Sequence, residues 1–285
     1  MIKSNLKSKI NKLSKEEMIL LIEKLQEKQE IQENFMMNIS HDLRSILNII
    51  MSANYMLECI KNRENINCDN KEKEYLNIVK RNTYKMLKLI DNLIDITRLE
   101  NKYFKINKEN IEIVNFIETV MGSIDKYAKQ KDITLIFDTN KEECIVGVDP
   151  QALDRMCINL ISNAIKFSPI GSFIYVTLMI DDKDVKISVA DNGLGISKED
   201  QKKIFERFNQ GSKKNKHNGS GIGLDLVKSL VKLHDGRITL KSELNKGSNF
   251  TIILPNTKLE KEEVKFKDER DRVQLLEIEF SDIYI

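Results

Sequence analysis

The chain has no tryptophan and only three prolines among its 285 residues. So few prolines leave long helices free to run unbroken. Aromatic residues make up 6% against 32% charged, a balance that suits solvated helices beside a modest core. Long apolar runs are also missing. Met18 to Ile22, the longest near the start, is far too short to cross a bilayer. No signal peptide is recognisable, so a soluble cytoplasmic protein is expected. The four cysteines, Cys59, Cys68, Cys144 and Cys157, include no CxxC pair, and no histidine stands at zinc-ligand spacing. They read as reduced thiols. A net charge of only +2 gives no pull toward nucleic acid or anionic lipid, and neither is an expected partner.

The length suggests two domains, or one with a long appendage. Ser14-Lys15-Glu16-Glu17 has the pattern of a capping box opening a helix. Met18, Ile22 and Leu25 follow at four- and three-residue steps, and no breaker intervenes before about residue 61. A helix that long needs a partner strip, so a coiled coil feeding a bundle is expected. Asn62 to Asn70 reads as a polar loop. A second helix follows from about Glu72 to Glu100, with Tyr75, Val79, Met86, Ile90, Leu93 and Ile96 as its buried side. Two such helices make a hairpin, and two hairpins related by a twofold axis close a four-helix bundle. The expected state is a homodimer.

From Tyr103 the period changes. A strand and helix are expected over Ile111 to Lys131, then strands at Ile133 to Phe137 and Cys144 to Val148. Asp149-Pro150 is a good helix start, and that helix stops at Ser168-Pro169. Strands Phe173 to Ile180 and Val185 to Ala190 follow, then a helix from about Gly223 to His234 with a stop at Gly236. Ile238 to Ser242 and Asn249 to Leu254 read as a closing hairpin. The class is α+β: a mixed sheet with helices on one face. Residues 258–285 open as a charge run and end in LEIEF. They read as a mobile tail, with an added edge strand or a contact site as the alternatives.

Four stretches carry candidate chemistry. In FMMNISHDLRSILNII, Phe35, Ile39, Leu43, Ile46 and Ile50 form an apolar stripe. His41 falls off that stripe, with Asp42 beside it and Ser45 one turn on. An exposed imidazole next to a carboxylate is a nucleophile with its own base. On the helix after Pro150, Asn159, Asn163 and Lys166 line up opposite Leu153, Met156, Leu160 and Ala164. Amide carbonyls are hard-oxygen ligands for Mg²⁺, and a lysine one turn away can neutralise phosphate. Asp191-Asn192-Gly193-Leu194-Gly195 ends a strand, where an acceptor-only carboxylate suits the amine of adenine. Gly219-Ser220-Gly221-Ile222-Gly223-Leu224 opens a helix whose free N–H groups suit phosphate. It is neither a Walker A loop nor a dinucleotide fingerprint. Ile204 to Phe208 and the basic loop Gly211 to Asn218 suit a mobile cover. His217 and His234 read as solvated or capping.

Taken in order, NISHDLRS, INLISNAIKFSP, DNGLGIS, IFERFNQ and GSGIGLDLVKSLVKLHDGRI resemble the H, N, G1, F and G2 boxes of bacterial sensor histidine kinases. The resemblance covers about residues 30 to 256. It implies a dimeric four-helix bundle followed by a GHKL, or Bergerat-type, α/β sandwich that binds ATP. The implied parts are an N-terminal coiled coil (1–34), a dimerisation and phosphotransfer hairpin (35–101), a catalytic domain (102–257) and a tail (258–285).

By the same resemblance His41 is the phosphoacceptor and Asp42 the general base. Asn163 is the Mg²⁺ ligand, with Asn159 nearby and Lys166 on phosphate. Asp191 reads adenine above the turn of Gly193 and Gly195. Gly219, Gly221 and Gly223 lie by the phosphates, with Phe167, Ile222 and Leu224 counted in the nucleotide site. The implied partner is the receiver domain of a response regulator, and a signal is expected from an upstream sensor protein through the coiled coil. Two positions depart from the family. Ser45 replaces the usual Thr or Asn, keeping a hydroxyl for a phosphatase role. Ile46 replaces the usual Pro, restoring a backbone N–H. A gyrase- or Hsp90-type ATPase, a serine kinase on the same fold, and a degenerate scaffold are the rival readings.

Overall fold

The computed structural model describes residues 14–61, 69–100, 104–205, 223–260 and 269–282. The chain divides into two compact units, residues 1–45 and 46–285. Helix α1 (Lys15–Lys61) contributes to both, and α2 spans Asp69–Glu100. The capping box is made as expected. Ser14 N donates to Glu17 Oε2 at 2.8 Å, and Glu17 N to Ser14 Oγ at 3.2 Å. With no glycine or proline across its 47 residues, nothing in α1 interrupts the hydrogen-bond ladder. The second helix begins three residues before the predicted start. The loop between the helices lies outside the described residues.

Much apolar surface on both helices stays exposed. On α1 it includes Met36, Met37, Leu47, Met51 and Met56, and on α2 Leu76, Ile90 and Ile94. Ile39 and Ala53 are buried, while Leu43, Ile46 and Ile50 are half-buried. Of the predicted buried side of α2, Tyr75, Val79, Met86 and Leu93 are half-buried and Ile90 is exposed. A single copy of the chain does not cover that stripe. The side chains of Phe35 and Ile96 lie outside the description.

The remainder is an α/β sandwich. β1 (Glu109–Glu112) and β3 (Ile145–Val148) pair antiparallel as a separate two-stranded sheet, which was not foreseen. Glu112 holds this corner. Its carboxylate caps α3 (Ile113–Gln130) by accepting from Val114 N and Asn115 N, and also accepts from Cys144 N at 2.8 Å. β2 (Thr134–Thr139), β4 (Phe173–Ile180), β5 (Asp184–Asp191), β7 (Gly247–Pro255) and β6 (Arg237–Glu243) form the main sheet in that order. Only β2 and β4 are parallel. The register stacks Val176, Val189 and Phe250 in one row and Leu178, Ile187 and Ile252 in the next. All six are buried under α3, α4 (Pro150–Phe167) and α6 (Gly223–Leu233). Each such side chain contributes about 1.5–3 kcal/mol of burial.

α4 is the predicted helix to the residue. Asp149 Oδ1 accepts from Gln151 N and Ala152 N, Pro150 stands at the first position, and the helix ends before Ser168. Leu153, Met156, Leu160 and Ala164 face the core. A four-residue helix, α5 (Lys198–Gln201), is capped by Ser197. At the end of α6 the left-handed residue is Asp235 (φ 60°), not the expected Gly236. Gly236 is needed for closeness instead: a Cβ there would stand 2.5 Å from the Ile253 carbonyl.

The expected mobile tail is corrected. Residues Glu269–Glu279 form α7, followed by a 3₁₀ turn at Phe280–Asp282. Leu276 and Phe280 are buried in the core, so neither a free tail nor an added edge strand describes this segment.

Candidate functional site

The described parts of three predicted stretches lie on or against α4. Asn159, Asn163 and Lys166 lie half-buried on the outer side of α4. Gly223, the first residue of α6, sits against Asn159, whose Oδ1 occupies the space where a Cβ on Gly223 would fall. A side chain there would displace Asn159. Lys166 Nζ lies 5.7 Å from the Phe167 ring centre.

Beyond the end of α4, the Asp191 turn folds over it. Leu194 N donates to Phe167 O at 3.4 Å. A Cβ on Gly193 would stand 2.6 Å from that same carbonyl. Gly195 has φ +63° and packs on the Glu243 carbonyl, so it is glycine for conformation and for space.

Asp191 is fixed rather than free. Its Oδ1 accepts from Gly193 N at 2.8 Å and from Ser248 N at 3.3 Å. Burial pushes its carboxyl above the usual range, and those two donors pull the other way. Neither bond uses Oδ2, which leaves an acceptor for a donor on a planar base.

Sequence reasoning missed several supports. Ser248 reaches Asp191 across β5–β7 pairing, a contact invisible without the register. Lys131 donates from Nζ to the carbonyls of Ile165, Lys166 and Ser168 at 2.7–2.9 Å, capping the C-terminus of α4 behind the site. Burial lowers its ammonium pKa. His234 is a buried brace: Nε2 accepts from Asp149 N at 3.0 Å, and Nδ1 bonds Leu230 O at 2.8 Å. It acts as the capping histidine the sequence suggested.

His41 lies on α1, off its stripe, with its side chain 79% exposed. Asp42 Oδ1 lies 3.7 Å from Nδ1, close but beyond hydrogen-bond distance. Ser45 is exposed one turn on. Gly219, Gly221, Ile222, His217, the Glu206 to Phe208 segment and the basic loop fall outside the described residues.

The donor set suits one kind of metal. Among the described residues no group of three or more His, Cys, Asp or Glu could hold an ion. Asn163 offers a single hard carbonyl oxygen. That fits Mg²⁺, which takes few protein ligands and completes its shell with water and phosphate.

Residues 31–102 match the His Kinase A (phospho-acceptor) domain, and residues 148–258 match the histidine kinase-, DNA gyrase B- and HSP90-like ATPase family. Hybrid signal transduction histidine kinase D of Dictyostelium discoideum is 34% identical over 244 residues, 83% of this chain and 16% of that protein. Sensor histidine kinase WalK of Bacillus subtilis is 30% identical over 225 residues, 78% and 36% of the two chains. The chain thus spans about a sixth to a third of these curated relatives. Among solved structures, histidine kinase ThkA in complex with response regulator protein TrrA matches with a TM-score of 0.60. That match has 20% identity and covers 81% of this chain and 64% of the other, and it speaks to the fold alone.

Proposed function

The chain belongs to the histidine kinases, a family that reaches beyond bacteria, and we propose that it autophosphorylates on His41 and passes the phosphoryl group to an aspartate of a response regulator. Its ATPase-family domain implies the use of ATP. One observation carries the proposal: His41 stands exposed on a helix with a carboxylate 3.7 Å from its Nδ1. A structural histidine in this chain looks different; His234 is buried with both nitrogens engaged.

In this reading Asp191 accepts from the adenine amine, over the turn of Gly193 and Gly195. Phe167, Ile222 and Leu224 border the nucleotide. The triphosphate would run toward the start of α6 at Gly223, a helix start suited to phosphate; Gly219 and Gly221, the other glycines of that motif, lie outside the described residues. Asn163, with Asn159 beside it, would hold Mg²⁺, which would neutralise charge on the phosphate oxygens. Lys166 adds a fixed positive charge one turn on. Asp42 takes the Nδ1 proton of His41, so that the Nε2 lone pair can attack the γ-phosphorus. The N–P bond forms as the bond to the β-phosphate oxygen breaks, and ADP leaves. A receiver aspartate then attacks the same phosphorus, breaking the N–P bond. Ser45 can position a water for the reverse role, removing phosphate from the regulator.

In this reading residues 1–34, of which 1–13 lie outside the described residues, would receive a signal from a sensor partner, 35–101 would be the phosphotransfer region and 102–257 the ATP-binding domain. The exposed methionines and isoleucines of α1 and α2 support a homodimer closing a four-helix bundle. No helix among the described residues is long and apolar enough to cross a membrane. The test is incubation with γ-labelled Mg·ATP, then mapping of the label. Acid-labile phosphate on His41 that chases onto a receiver domain supports the proposal; label on a serine, or none, defeats it.

A further inference from the structure

α7 binds two elements with different jobs: α2 of the phospho-acceptor region, and α4, which carries Asn159 and Asn163. Toward α2, Glu277 accepts from the Tyr84 hydroxyl at 2.5 Å and lies 3.5 Å from Lys80 Nζ. Lys88 Nζ donates to the Glu279 carbonyl at 2.8 Å and lies 3.3 Å from its carboxylate. Toward α4, the same Glu279 carboxylate accepts from Ser162 Oγ at 2.8 Å, between the two asparagines in sequence. Arg272 pairs with Asp154 at 3.2 Å, both side chains nearly buried. Phe280 is fully buried and stacks on Tyr127 of α3, ring centres 4.5 Å apart. Under α7, Arg155 of α4 pairs directly with Asp95 of α2. Glu279 and Asn159 line one small pocket there.

Among the described side chains, the acids Glu277 and Glu279 meet basic or hydroxyl groups of α2. This is a fitted contact, and its buried members are costly to leave unpaired. We propose that α7 is an intramolecular strap that ties the ATP-binding domain to helix α2 and restrains phosphate transfer until it lets go. This rests on the kinase reading above. The nucleotide domain must present a phosphate to His41 and then withdraw for a receiver. A tie between α4 and α2 holds the population in one arrangement and lowers the fraction free to make those moves.

Glu277→Lys tests this in the full chain, since it sets a cation against Lys80. The strap predicts faster amide exchange over residues 269–279 and an initial rate of His41 labelling about threefold higher or more. Mg·ATP affinity should not change. Adding Lys80→Glu should return both exchange and rate toward the starting protein. If one surface charge leaves α7 closed, Phe280→Asp, which drives a charge into the buried stack, should open it and raise the rate. Faster exchange with an unchanged or lower rate overturns the strap, as does an α7 already unprotected in the unaltered protein. Absence of any label on the unaltered protein is the separate signature of a failed kinase reading, and the strap falls with it.

Discussion

The proposed phosphoacceptor His41 and the proposed adenine reader Asp191 are built in opposite ways. His41 stands on a single helix with its side chain 79% exposed and one carboxylate nearby. Asp191 ends a central strand, half-buried, with one oxygen held by backbone donors from two segments. A nucleophile that must meet ATP and then a receiver has to be reachable from outside. A carboxylate that reads one base has to be in place beforehand, because ordering it during binding would cost affinity. Changes around Asp191 should therefore alter binding, while changes at His41 should alter only chemistry.

The largest expected effect is at Asp191→Asn. The amide keeps the shape and can still accept from Gly193 and Ser248, but it loses the charged acceptor for the adenine amine. ATP affinity should fall on the order of 30-fold, the weight of a hydrogen bond to a charged group. Inosine triphosphate, which lacks that amine, should bind as before, as calorimetry can check. An equal loss for both nucleotides would mean that the turn collapsed.

Lys131→Met comes next. It removes three bonds to the end of α4 while keeping an apolar stem. Denaturant unfolding should show about 2 kcal/mol less stability. Nucleotide affinity should weaken with it, since the same end of α4 holds the Asp191 turn through the Leu194 N–H to Phe167 carbonyl bond.

A pH effect should separate the regions further. Burial lowers the His234 pKa from the usual 6.5, so the folded state favours the neutral ring. Its contribution is fully present above about 6.5 and is lost as pH falls from there toward the folded-state value. Unfolding of the ATP-binding domain should be easier at pH 5 than at pH 7.5, and His234→Gln should flatten that slope. The smallest effect belongs to Ser14→Ala, which breaks the capping box. It should cost α1 about 1 kcal/mol at most, read by circular dichroism, with nucleotide affinity untouched.

The same division governs what the sequence discloses. α1 and α4 are legible because their signals are local: Ser14 with Glu17, Asp149 with Pro150, and apolar residues at helical spacing. The proposed carriers His41, Asn163 and Asp191 stand out in the sequence by their motifs and their order. α7 is not, because its stability comes from Tyr84, Ser162, Asp154 and Tyr127, all more than a hundred residues away, and its LEIEF alternation mimics a strand. Ser248 and Lys131 escape for the same reason. Each matters through a partner that only the sheet register or the end of α4 supplies.

The most direct test of the account pairs two measurements, Mg·ATP titration and acid-labile labelling, on His41→Gln and Asp191→Asn together. His41→Gln should bind ATP like the unaltered chain and take no label, while Asp191→Asn should bind weakly and label only at raised ATP. Label persisting on His41→Gln, or ATP binding lost with it, would contradict the account.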